Sequence, residues 1–270
     1  VGTLGDANGD VLSSIENLIG SAFDDVITGD GGNNVIDGGL GNDIINGVAG
    51  IDTITYLTAA SAVTVNLSNA GVNTSGGAGS DTLTNFENMI GSNFNDILTG
   101  DGSANIIEGG LGDDVLNGGG GVDTVSYENA SGSVSVNISG LVVLGVAANS
   151  STGAAGNDGL SNLEDITGSA FNDILIGDAG SNVINSGTGD DVLIGGAGAD
   201  TLIGGAGIDT VSYINAASAV RATLGGAALV QLGDALGDTF SGIENLTGSN
   251  FNDILYGCLL YTSDAADEED

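Results

Sequence analysis

The chain has 270 residues and a formal net charge of −35, with 36 acids against one basic residue, Arg221. No basic patch can form, so nucleic acid and anionic membrane are disfavoured as direct partners, and cations are the natural counterpart of so much like charge. An apolar fraction of 41% argues against plain disorder, the lack of His removes imidazole from any site, and 50 glycines without a proline imply repeated backbone positions needing φ > 0 or close approach.

Along the chain a nine-residue unit, G-G-x-G-x-D-x-U-x with U a large aliphatic, recurs in register. A first block (1–56) opens on a lead-in copy, GDANGDVLS (5–13). Six residues (SIENLI) follow, then nonads start at Gly20, Gly29, Gly38 and Gly47. A linker (57–75) carries the alternating VTVNL (63–67), whose period of two reads as a strand. The second block (76–126) repeats the plan, with lead-in GGAGSDTLT (76–84) and nonads from Gly91, Gly100, Gly109 and Gly118. A second linker (127–152) contains VSVNI (134–138). The third block (153–212) has lead-in GAAGNDGLS (153–161) and five nonads from Gly168, Gly177, Ser186, Gly195 and Gly204. After a third linker (213–232), a fourth block (233–257) starts with GDALGDTFS (233–241) and stops. The remaining CLLYTSDAADEED (258–270) breaks the pattern in mid-unit and reads as a non-native, adapter-derived tail. The chain begins at Val1 with no signal peptide visible in it, and it reads as a fragment of a larger parent. Each run opens with Phe23, Phe94, Phe171 or Phe251 in place of the fourth-position glycine, expected to cap the end of an aliphatic stack. Tyr56, Tyr127 and Tyr213 are expected to pack at the close of each run.

The unit, clearest in GGLGNDIIN (38–46), GGLGDDVLN (109–117) and GGAGADTLI (195–203), resembles the calcium-binding repeat of RTX (repeats-in-toxin, hemolysin-type) proteins. The resemblance covers residues 1–257. It implies an all-β fold, a parallel β-roll (β-solenoid) of nonapeptide repeats with 18 residues per coil, interrupted by longer β-rich linkers. Each nonad then supplies a six-residue turn and a three-residue strand, and coils stack as parallel sheets about 4.8 Å apart. Eighth-position aliphatics such as Ile27, Ile36, Ile45 and Ile54 would stack inward, and no coil could bury its face alone.

Stacking brings sixth-position residues of nonads n and n+2 onto one edge. The resulting pairs are Asp25–Asp43 and Asn34–Asp52; Asp96–Asp114 and Asn105–Asp123; Asp173–Asp191, Asn182–Asp200 and Asp191–Asp209, with Asp253 beginning a further column. Two carboxylates about 5 Å apart repel by roughly 3 kcal/mol at an effective dielectric near 20. A Ca²⁺ ion, which takes roughly 6–8 oxygens at ~2.3–2.6 Å, can be reached by both, with turn carbonyls completing its shell; Mg²⁺ fits less well. About seven ions are expected, one per pair. Where the pair holds Asn34, Asn105 or Asn182, an oxygen is offered without charge, and weaker binding is expected; Asn34→Asp should strengthen it. Asp30, Asp101 and Asp178 read as extra ligands or as solvated turns. Glu16, Glu87, Glu164 and Glu244 read as partners of Asp10, Asp81, Asp158 and Asp238 in a lead-in site, or as turn residues.

Without His no Ser-His-Asp or Cys-His arrangement is possible, and the repeat accounts for almost every acid, so no catalytic residue is expected. The resemblance implies calcium-induced folding of a secreted or surface-bound bacterial protein exported by type I secretion, with the rest of the parent chain attached. Two alternatives stay open. The repeats could be the spacer or stalk of an adhesin, with a cell-surface or carbohydrate ligand, or the C-terminal region of a secreted protease, lipase or toxin.

Overall fold

A computed structural model describes residues 15–69, 73–224 and 231–257. The lead-in copy at 5–13, with Asp10, and the tail at 258–270 lie outside the described residues. Among the described residues the chain forms 26 strands of three or four residues and one 3-10 turn, Gly233–Ala235. The strands fall on the x-U-x part that follows the sixth position of each unit: Val26–Thr28, Val35–Asp37, Ile44–Asn46 and Thr53–Thr55 follow one another at nine-residue intervals. In the three complete runs their central residue is buried and their first is wholly or half exposed, as in Ile97–Thr99, Ile106–Glu108 and Val115–Asn117. Three residues are too few for a free-standing strand, so each is held by its neighbours above and below.

Successive strands alternate between two walls, making a parallel β-roll. One wall is a ten-stranded sheet running without a break from Asn17–Ile19 to Thr239–Ser241. Within a run the partner of each residue lies 18 positions on, as in Asn17↔Val35, Ile97↔Val115 and Val183↔Thr201. The core between the walls is one continuous cluster of eighth-position side chains. Ile36, Ile54, Met89 and Ile107 from one wall, and Ile45, Leu98, Leu116 and Leu175 from the other, are at most 1% exposed. Each such burial is worth about 1.5–3 kcal/mol, and it is realised only when the next coil is in place.

The rhythm carries through the junctions. The lead-in strands Thr82–Thr84 and Gly159–Ser161 pair in parallel with Ile44–Asn46 and Val115–Asn117. The six-residue segments that follow shorten the turn but keep the strand, so Asn88–Ile90 pairs with Thr53–Thr55. The alternating linker segments form Val63–Asn66 and Val134–Asn137, each in a hairpin with an antiparallel partner, Thr74–Gly76 and Ser150–Gly153. Both hairpins join the second wall, where their first strands pair in parallel with Ile97–Thr99 and Ile174–Ile176. The third run behaves differently because it has five nonads rather than four. An odd number leaves the chain half a coil further on, so the lead-in strand Thr239–Ser241 joins the first wall, beside Thr201–Ile203.

One side-chain placement differs from expectation. The fourth-position phenylalanines do not cap the core; Phe23, Phe94, Phe171 and Phe251 are 79%, 42%, 44% and 52% exposed. Turns stack too closely for a ring to enter: a Cβ at Gly41 or Gly112 would already clash with the Phe23 or Phe94 backbone in the coil above. A second, smaller cluster also lies outside the roll. Val143 and Val146, from the hairpin loop of the second linker, cover Ile176 and Ile194 on the second wall.

Candidate metal centre

In each sequence-derived pair the later aspartate is tied to the coil before it. Its Oδ1 accepts the backbone N–H of the sixth-position residue one coil earlier. The donors run Asp25 to Asp43 (2.8 Å), Asn34 to Asp52 (2.7 Å), Asp96 to Asp114 (2.7 Å) and Asn105 to Asp123 (2.8 Å). In the third run they are Asp173 to Asp191 (2.7 Å), Asn182 to Asp200 (2.9 Å) and Asp191 to Asp209 (2.9 Å). All seven sequence-derived pairs are therefore neighbours, and all of these residues except Asp25 are at most 4% exposed. Asp253 accepts from Val220 N–H in the same way (2.8 Å).

The other side-chain oxygen separates two classes. In the opening nonads Asp96 and Asp173 turn it back onto their own turn, where it accepts Ser92 and Ser169 N–H; Asp25 and Asp253 do likewise with Ser21 and Ser249. In the second nonads the Asn oxygen is also taken: Asn34, Asn105 and Asn182 Oδ1 accept the N–H of Asp30, Asp101 and Asp178. Their amides donate as well, Asn105 to Glu87 O (2.8 Å) and Asn182 to Glu164 O (2.6 Å). The asparagine oxygen that the sequence offers to a cation is thus spent on the backbone. In every later nonad of the described runs the second oxygen has no partner. Oδ2 of Asp43, Asp52, Asp114, Asp123, Asp191, Asp200 and Asp209 is buried and receives no hydrogen bond. A buried carboxylate oxygen without a donor costs several kcal/mol unless something positive meets it.

The glycines let these atoms lie close against the turn. A Cβ at Gly38, Gly109 or Gly195, the first position of a nonad, would clash with Oδ2 of its own Asp43, Asp114 or Asp200. At Gly47 it would clash with both Asp52 Oδ2 and Asn85 O. The second glycine has φ near +90°, as at Gly110 (94°), and Oδ2 receives no N–H of the kind that closes the opening nonads; Gly39 and Gly119 donate theirs to Asp37 and Asn117 Oδ1 instead.

The electrostatics follow from crowding acids where solvent is excluded. Burial, with the Asp81, Asp25 and Asp24 charges added, pushes Asp43 up to about 6 despite the Asp25 N–H bond. Burial likewise pushes Asp114 up to about 7, with Asp158, Asp96 and Asp113 adding to it. Asp200 is also pushed up to about 7, by burial and by Asp238, Asp178 and Asp234. Asp52, Asp123 and Asp209 are raised too, burial leading and Glu87, Glu164 and Glu244 among the contributing charges.

The remaining candidates are placed as follows. Asp30, Asp101 and Asp178 are turn residues, their Oδ1 accepting the N–H two residues on at 2.7–2.8 Å. Glu87, Glu164 and Glu244 are not paired with the lead-in aspartates. They continue the column on the opposite edge, accepting the N–H of Asp52, Asp123 and Asp209 at 2.8–2.9 Å. The longer Glu arm spans the gap left by the shortened turn. A fifth-position ladder escapes sequence reasoning because it runs on exposed residues: Asp24 Oδ1 accepts Asn42 N–H (2.8 Å), and Asn42 Oδ1 accepts Ser80 N–H (3.0 Å). Nothing in the residue types distinguishes it from solvated turn polarity.

Among curated proteins none matches the chain. The family profile described as RTX calcium-binding nonapeptide repeat (four copies) matches residues 18–54, 90–125, 158–193, 176–211 and 238–257. These segments hold the glycine turns and sixth-position acids described above, and together they span more than half of the 270 residues. The chain belongs to the RTX calcium-binding repeat family.

Proposed function

We propose that this chain is a calcium-folded β-roll, in which cation binding at the sixth-position columns drives folding of a secreted or cell-surface protein. The observation that carries the reading is the set of seven buried, partnerless aspartate oxygens. Their owners are the second members of the seven same-edge pairs, and about seven ions would satisfy them, one each. A hard cation with oxygen ligands suits a site built of carboxylates and glycine-turn carbonyls, and the bare glycine Cα atoms let the free oxygens lie against the turns. Because the columns exist only when coils are stacked, binding free energy counts as folding free energy. In calcium-poor surroundings acid repulsion would oppose the roll, and outside the cell calcium would close it.

The chain's part is calcium binding rather than catalysis; what the parent does depends on what is attached. One observation favours a mechanical role. The ten-stranded wall runs through every junction it meets, so consecutive blocks would form one stiffened rod suited to a stalk. Among the described residues no helix is long and apolar enough to cross a membrane. Far-UV circular dichroism during a titration from chelator to about 10 mM Ca²⁺, bracketing weak extracellular sites, tests the proposal. A cooperative gain of β-signal with Ca²⁺ and not Mg²⁺ is expected. A fold complete in chelator would overturn it.

A further inference from the structure

Three sixth-position aspartates depart from the two classes above. Asp81, Asp158 and Asp238 lie in the lead-in nonads, and by sequence they match Asp43 or Asp114. They are buried (1%, 2% and 6% exposed), and their Oδ1 accepts the N–H of Asp43, Asp114 and Asp200, each at 3.0 Å. Their Oδ2 is nevertheless not orphaned. It accepts the hydroxyl of Tyr56 (3.3 Å), Tyr127 (2.8 Å) and Tyr213 (2.7 Å). The tyrosines are at most 2% exposed and sit directly after the last strand of each run. Ser151 adds a second hydroxyl to Asp158 Oδ2 at 2.7 Å. The arrangement occurs at all three junctions, although the third is built on the other wall.

We infer that Tyr56, Tyr127 and Tyr213 decide which nonads take calcium: each supplies a hydroxyl where the other buried aspartates meet a cation, leaving the three lead-in nonads free of ions. The inference rests on the calcium reading of the other columns. Its physical basis is that an O–H donated to a carboxylate is a strong, charge-assisted bond and satisfies the buried oxygen without an ion. Burial and the neighbouring aspartate push Tyr56 and Tyr127 well above the ordinary tyrosine range, so the donor keeps its proton. The tyrosine comes from the end of one run and the aspartate from the start of the next, so each bond closes a junction in the absence of calcium. These are positioning residues, and a count that gave every buried sixth-position aspartate an ion, lead-in nonads included, would be three too high.

Native mass spectrometry of the 270-residue chain at saturating Ca²⁺ tests this by counting bound ions. The triple variant Tyr56→Phe, Tyr127→Phe, Tyr213→Phe keeps the rings and frees Asp81 and Asp238 Oδ2, while the Ser151 hydroxyl still meets Asp158 Oδ2; a gain of two ions over the unsubstituted chain is expected. A pure packing role would leave the count unchanged, and that result overturns the inference. Should the triple variant not fold, Asp81→Asn, Asp158→Asn, Asp238→Asn decides. Asn retains an acceptor for the N–H above and can donate to the tyrosine oxygen. The ion count should equal that of the unsubstituted chain, and a loss of ions overturns the inference. An unsubstituted chain that binds no calcium overturns the underlying calcium reading instead.

Discussion

Val48 occupies the second position of its nonad with φ = 83°, where the corresponding Gly39, Gly110 and Gly205 have φ of 87°, 94° and 89°. A β-branched residue is strained there, by about 1–2 kcal/mol, while glycine gives back part of that in chain entropy. Val48→Gly should therefore stabilise the calcium-loaded fold by about 1 kcal/mol, read from the midpoint of chemical denaturation; an unchanged midpoint would show the strain is absent. The asparagine of each second nonad invites the opposite change. From sequence, Asn→Asp adds a ligand charge. In the structure Asn182 Nδ2 donates to Glu164 O, and its oxygen is already engaged. Asn182→Asp would set a carboxylate against a carbonyl, and a loss of about 1–3 kcal/mol is expected with no gain in calcium affinity. Higher affinity by isothermal titration calorimetry would restore the sequence-based view. The residue types at position six were legible; which of them still had a free oxygen was not, because the donors are backbone N–H groups set by turn conformation.

A nonad acts as a unit of turn plus strand, and its first glycine couples the two. Gly109 lies against Asp114 Oδ2, one of the seven unpartnered oxygens. Gly109→Ala should fill the space a cation needs, costing about 1–3 kcal/mol by overpacking. It should also remove one ion from the count obtained by native mass spectrometry, and a full complement of ions would place the cation elsewhere. Strand positions were readable from the nine-residue period, since a three-residue strand with one inward aliphatic follows from where the glycine turn ends. The hairpins were only half readable. Alternation in VTVNL and VSVNI marked the strands Val63–Asn66 and Val134–Asn137, but not their partners or their wall. Those depend on how many nonads precede them, a count that acts through the geometry of the whole stack. The phenylalanines illustrate the same limit: an aromatic in a glycine position suggests a cap, yet inter-turn spacing leaves no interior for it.

Across the whole molecule, the buried columns make calcium-free stability depend on pH. Asp43, Asp114 and Asp200 sit at about 6, 7 and 7, above the ordinary carboxylate value, because burial disfavours their charged form. Each therefore favours folding fully below its unfolded pKa, near 4, and that contribution is lost as pH rises through 6–7. In chelator, lowering the pH from about 8 to about 5 should increase β-structure by circular dichroism, protons standing in for calcium. A flat response over that range would show that these acids do not oppose the empty roll.

The acidic excess, the nonad period and the inward aliphatics lie in the sequence because each is a property of one unit repeated. With the family resemblance they determined a calcium-binding class of roll with 18 residues per coil. Tertiary structure decided what depends on contacts between units far apart in the chain. It spent the oxygens of Asn34, Asn105 and Asn182 on backbone, routed Glu87 to the edge opposite Asp81, and brought Tyr127 to Asp158. The physical reason is that a carboxylate's chemistry is set by the donors and dielectric around it, and in a solenoid those come from the neighbouring coil.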